Sequence, residues 1–165
     1  MSRTIHIDIF DPASVDAAVQ EIREYSAWVQ RKAQELAKRL ADMGAVLASI
    51  EYSRVPYTGE KLVDIAVNEL DSNRYAITAS GETVLILEFG AGIKYGHGHP
   101  LEGSIGMGAG TYPGQKHALS PYGWWLPKEK GGDHTYGNPP AMAMYLTGKE
   151  LRERVLEVAK EVFGT

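Results

Sequence analysis

The chain has 165 residues, 17 Lys+Arg against 21 Asp+Glu, and no cysteine. That length fits one compact domain and would cramp two, and a formal charge of -4 lacks the cationic surplus of a dedicated nucleic-acid binder. Disulfides, thiolate zinc sites and a cysteine nucleophile are excluded, while the redox compartment stays open.

Apolar residues make up 44% and charged ones 23%, which argues against wholesale disorder. The first residues lack the apolar stretch of a signal peptide. No run approaches the roughly eighteen apolar residues of a membrane span. The expectation is a cytosolic, mildly acidic, globular chain with no membrane partner.

Ile5, Ile7 and Ile9 alternate with His6 and Asp8, which predicts a short strand with one buried face. Asp11-Pro12 then reads as a helix start, an N-cap acceptor followed by a proline whose missing N–H costs nothing at the first helical position. Small or apolar residues follow in steps of four and three at Val15, Val19, Ile22, Ser26, Val29, Ala33, Leu36, Leu40, Met43 and Leu47. This stripe predicts a helix of roughly thirty residues, widened on one side by Trp28, Ala37 and Ala41. Gly44 either ends it or puts a joint in it. The stripe packs on the domain's own sheet or, in part, on a neighbouring subunit.

Pro56-Tyr57-Thr58-Gly59 signals a turn. Val63, Ile65 and Val67 define one strand, and Tyr75, Ile77 and Ala79 a second, joined through Asp71-Ser72-Asn73. The run from Thr83 to Phe89, apolar on both faces, predicts a third, central strand of an antiparallel meander. Glu88 closes that run, as a surface or hydrogen-bonded carboxylate or as a catalytic base.

Residues 90–138 carry thirteen of the eighteen glycines and four of the five histidines. Helix and strand periodicities both vanish across this excursion. Pro139-Pro140 opens a second helical pattern through Met144, Gly148, Leu151, Val155, Val158 and Val162, broadened by Leu156, Ala159 and Phe163 and ended by Gly164. The fold class is therefore α+β, a single domain (residues 1–165) with two helices on a small antiparallel sheet and a glycine-rich insert.

Three kinds of chemistry compete for the excursion. His97, His99, His117 and His134 are metal-ligand types, but Gly96, Gly98 and Pro100 give the first pair no second shell, so no cofactor is expected. Phosphate motifs are incomplete: Gly90-Ala91-Gly92 has Tyr95 in place of the third glycine, Gly148-Lys149 lacks a P-loop glycine at Ala143, and Ser104 has the wrong spacing for a nucleophile elbow. Aromatic recognition is the third, with Tyr95, Tyr112, Tyr122, Trp124, Trp125 and Tyr136 as contact candidates. Burial of these six rings does not offset the cost of ordering so many glycine-rich residues, so part of the insert is expected to set only against a partner.

Glu88-Phe89-Gly90-Ala91-Gly92, then Gly123-Trp124-Trp125, then Pro140 to Tyr145 leading into a helix, resembles the tail-completion (head–tail joining, minor tail component) family of long-tailed bacteriophages, in its prophage form. The likeness covers nearly the whole chain. It implies a non-enzymatic subunit that forms a ring at the head-proximal end of the tail. Its partners would be itself, the connector or stopper, the tail terminator and the tail-tube protein. The protein would be made in the host cytoplasm and end in the virion. No catalytic residue is carried over; Glu88, Phe89, Gly90 and Gly92, with Met144 and Tyr145, are scaffold positions. Two rivals stand beside it: a metal-dependent cell-wall hydrolase using the loop histidines with Glu88 as base, and a carbohydrate-binding module using Trp124 and Trp125.

Overall fold

The structure is a computed structural model and describes residues 4–8, 10–55, 57 and 62–164. The α+β class holds: a long N-terminal helix and a C-terminal helix frame small antiparallel sheets. Helix α1 runs from Pro12 to Arg54, 43 residues and well beyond the roughly thirty expected, and Asp11 caps it by accepting from the Ala13 N–H. No strand forms at Thr4–Asp8. Those residues meet no partner strand; Asp8 instead accepts from the Phe10 N–H and donates its own N–H to Ser14, a turn that feeds the helix. Ile9, and the Pro56, Thr58 and Gly59 of the proposed turn, lie outside the described residues.

Gly44 does not end α1, which runs on through it. It is buried within the helix, and a Cβ there would press on the side-chain ends of Ile77 and Leu151. The missing side chain lets α1 approach the sheet and the C-terminal helix at one point. Ala41, Gly44, Ala48 and Tyr52 form the deepest lane of α1, beside the stripe of larger residues.

Strands β1 (Asp64–Asp71) and β2 (Arg74–Ser80) form the expected hairpin. Ile65 pairs with Ala79 and Val67 with Ile77, so the apolar positions share one face, toward α1.

The third strand is a correction. Val84–Phe89 is a helix, α2, not the centre of a meander. A short apolar run buried on several sides has no decisive periodicity, and here a helical turn satisfies its own N–H groups. Its last carbonyls are taken from outside: the Asn138 side chain donates to Ile86 O at 2.9 Å, Ala141 N to Leu87 O at 2.7 Å and Met142 N to Glu88 O at 3.2 Å. The sheet is therefore a two-stranded hairpin.

The excursion contains one α-helical turn, α3 (Glu102–Ile105), a 3-10 turn at Lys128–Lys130, and a minimal ribbon of β3 (Trp124–Trp125) paired with β4 (His134–Thr135). Its mouth is closed where Ala91 and Asn138 exchange two backbone hydrogen bonds of 2.8 and 3.0 Å.

Helix α4 (Ala143–Phe163) starts three residues after Pro140, behind Met142 in the left-handed region, and ends at Gly164 in the same region. Leu156 is 72% exposed and does not widen its packed face. α4 runs antiparallel to α1: Phe163 meets Trp28 edge-on at 5.8 Å, and Leu151 faces Gly44. Among the described residues no helix is long and apolar enough to cross a membrane.

Candidate functional site

The polar centre of the molecule is one buried carboxylate. Glu88, 5% exposed at the end of α2, accepts from four donors brought by three other segments. Its Oε1 takes His99 Nε2 at 3.2 Å and the Tyr145 N–H at 3.1 Å. Its Oε2 takes the Tyr52 hydroxyl at 3.2 Å and the Met144 N–H at 2.9 Å.

Two of these donors are first-turn amides of α4, which have no partner inside their own helix. Met142, the residue before the helix, offers no side-chain cap. Glu88 supplies the cap from another element, and its negative charge sits at the positive end of the helix dipole. An ionised carboxylate has about four lone-pair sites, and all four are used.

His99 has a defined tautomer. Leu101 N donates to its Nδ1 at 3.1 Å, so the ring proton lies on Nε2 and points at Glu88. The ring is 3% exposed and packs on Phe89 at 4.4 Å and Tyr145 at 5.7 Å between centroids. Phe89 also meets Tyr112 at 6.4 Å, and the Tyr112 hydroxyl donates to the Gly90 carbonyl. Consecutive residues thus divide the work: Glu88 holds α4 and His99, Phe89 holds His99 and Tyr112, and Gly90 receives Tyr112.

Both buried tyrosines are held neutral. Burial, then the charge and hydrogen bond of Glu88, push the Tyr52 hydroxyl far above the usual phenol range. Burial pushes Tyr112 up to about 12, against a smaller lowering from its hydrogen bond with Gln115. Unfolding returns both to the ordinary value near 10. Above that pH the unfolded chain has released protons that the folded chain keeps, so stability falls as pH rises. The stability is expected to be complete below pH 10 and to decline from there through about pH 12. Urea titrations at stepped alkaline pH check this, and a Tyr52→Phe/Tyr112→Phe chain should show a shallower decline.

The predicted site residues separate into two groups. Glu88, Phe89, Gly90, Met144 and Tyr145 come together at this node, and Gly92 lies beside the closed mouth against Tyr136 and Gly137. Tyr112 is a correction: at 5% exposure it anchors the excursion from inside and offers a partner nothing. Tyr122 and Trp125, 82% and 72% exposed, stand on the outer surface, with Tyr95 and Tyr136 less exposed and Trp124 half-buried. His134 sits edge-on between Trp125 at 5.0 Å and Tyr136 at 4.9 Å, and Lys94 lies 3.7 Å over the Tyr136 ring.

The histidines do not converge. His97 is exposed on Ile93 O at 3.1 Å, His134 is stacked as above, and His99 is buried on Glu88. Among the described residues no three His, Asp or Glu side chains gather where they could hold a metal ion.

Tyr52 and Asn138 were missed by sequence reasoning. Tyr52 was findable, since it continues the small lane Ala41, Gly44, Ala48 by one step of four. The chain matches no protein-family model, and comparison with curated proteins and with solved structures returns no match.

Proposed function

We propose that this chain is a structural, non-enzymatic subunit of a phage or prophage head–tail junction, acting through ring assembly and protein contacts. The observation that carries the reading is the state of Glu88. Its four donors leave it no free lone pair, so it is a scaffold acceptor, and taking a proton from water would mean breaking a helix cap. That is the role the motif resemblance assigns to Glu88, Met144 and Tyr145.

The outer surface supports the same reading. Leu119, Tyr122 and Trp125 are 66%, 82% and 72% exposed on a loop closed at its base, an arrangement suited to presenting contact residues from a rigid frame. In this proposal the excursion faces the next copy in the ring and the tail components beyond it. The chain reaches the virion from the host cytoplasm, and DNA passes a ring that carries no cationic excess.

The test is solution mass across concentration, alone and with tail-tube and stopper proteins. A larger species should form with those partners, and Tyr122→Ala/Trp125→Ala should prevent it while leaving the unfolding free energy, from urea titration, within about 0.5 kcal/mol of wild type. A chain that stays apart from every tail component would overturn the proposal.

A further inference from the structure

The sequence holds a strand that the fold does not use. Ile5 and Ile7 alternate with His6 and Asp8, the pattern of a half-buried strand, yet Thr4–Asp8 joins no sheet among the described residues. Hydrogen bonding in this arm is confined to Asp8 and its turn into α1. Ile7 is 52% exposed.

The fold in turn holds a sheet that stops early. Among the described residues β1 and β2 pair only with each other, and two strands alone make a marginal sheet with two open edges. Ile77 of β2 and Leu151 of α4 press on the same point at Gly44, so β2 lies beside α4 and β1 is the outer edge. On α1, Glu51 shares a groove with Leu146 and Lys149 of α4. Ala45, Val46, Ser49 and Ile50 lie on the opposite flank of the packed lane, past β1, and line a shallow groove of about 380 Å³. Val46 and Ile50 are 60% and 38% exposed. A third strand on the β1 edge would cover them.

The chain's own arm cannot be that strand. Gly44 stands about 50 Å along α1 from Asp11, and the hairpin tip comes only about 10 Å nearer. Ile5 reaches at most about 20 Å from Asp11. A copy of β1 is equally unsuited, because Asp64, Glu69 and Asp71 would face the same three acids. Thr4 to Ile7 carry no acid and one histidine.

We infer that the arm of a second copy adds to the β1 edge as a third strand. Thr4 to Ile7 supply main-chain hydrogen bonds to β1, and Ile5 and Ile7 cover Val46 and Ile50. Donor and acceptor lie far apart on each chain, so the contact is head-to-tail. It is independent of the proposed function, whose contacts lie on the excursion.

The cysteine-free chain accepts single spin labels at His6→Cys or Asn68→Cys, both exposed positions. Each labelled full-length chain and their equimolar mixture are measured by pulsed dipolar spectroscopy, alongside solution mass. The arm on β1 adds a distance of about 20 Å or less that only the mixture shows. A short distance from Asn68→Cys alone means that two β1 edges have met. A mixture without a short distance means another occupant or none, and a monomeric mass means no pairing; each result overturns the inference. Ile7→Pro removes a main-chain donor that has no acceptor among the described residues, and should weaken association about tenfold or more at an unchanged urea midpoint. Ile7→Val should stay within about twofold of wild type, and equal association by the proline variant and wild type would also refute the arm. Larger species that form with tail partners while the mixture shows no short distance would spare the proposed function, and the reverse result would do the opposite.

Discussion

Replacing Glu88 with alanine is expected to lower stability by about 3–5 kcal/mol, a large share of the 5–15 kcal/mol typical of a domain. The loss exceeds that of one hydrogen bond because the partners stay behind. Tyr52 and His99 are buried polar groups, and the first-turn amides of α4 lose their only described acceptor. Each donor left without an acceptor keeps its desolvation cost.

Glu88→Gln should cost less, about 2–3 kcal/mol. A carboxamide oxygen can take over Oε1, where both donors are fixed: a backbone N–H and a histidine whose tautomer is set by Leu101. The amide NH2 then faces Met144 N–H and Tyr52 at Oε2, and only the tyrosine hydroxyl can rotate to accept. Urea unfolding measures both variants as a lower midpoint at an unchanged slope. A Glu88→Ala chain that unfolds at the wild-type urea concentration would remove the carboxylate from the centre of the scaffold.

The fold was legible where periodicity and partners are local. The hairpin follows from Val67 opposite Ile77 across a two-residue turn, and both long helices follow from their stripes. The failure at Val84–Phe89 has a physical cause, since an apolar run of six residues carries no period and the deciding hydrogen bonds come from Asn138, Ala141 and Met142, some fifty residues away. The Glu88 node was illegible for the same reason: its partners lie 36, 11, 56 and 57 positions off. The Glu-Phe-Gly turn was singled out only by resemblance, and the geometry gives it a reason of its own. Tyr112 was misplaced because an aromatic in a glycine-rich loop looks the same in sequence whether its hydroxyl meets solvent or the Gly90 carbonyl.

Gly90→Ala is the second large effect, expected to cost about 3 kcal/mol or more. Gly90 sits at φ 77 and ψ 179, a backbone region open essentially to glycine alone. Space is also missing: a Cβ would lie 2.7 Å from Asn138 O and 2.7 Å from Pro140 N. Neither atom can yield cheaply, because both are backbone and Asn138 is fixed by its two-bond bridge to Ala91 and its side-chain bond to Ile86.

The substitution therefore forces the mouth of the excursion apart, and the damage should spread to Tyr112, which loses its acceptor geometry at the Gly90 carbonyl. Gly103→Ala is the matched control, placed in α3 with nothing within 4 Å of the added carbon, and should stay within about 0.5 kcal/mol of wild type. Limited proteolysis separates a local effect from a global one: Gly90→Ala should be cut between residues 91 and 137 under conditions where Gly103→Ala and wild type resist. Equal midpoints and equal cleavage for the two variants would show that the mouth bears no strain, and that Tyr112 and His99 hold the excursion without it.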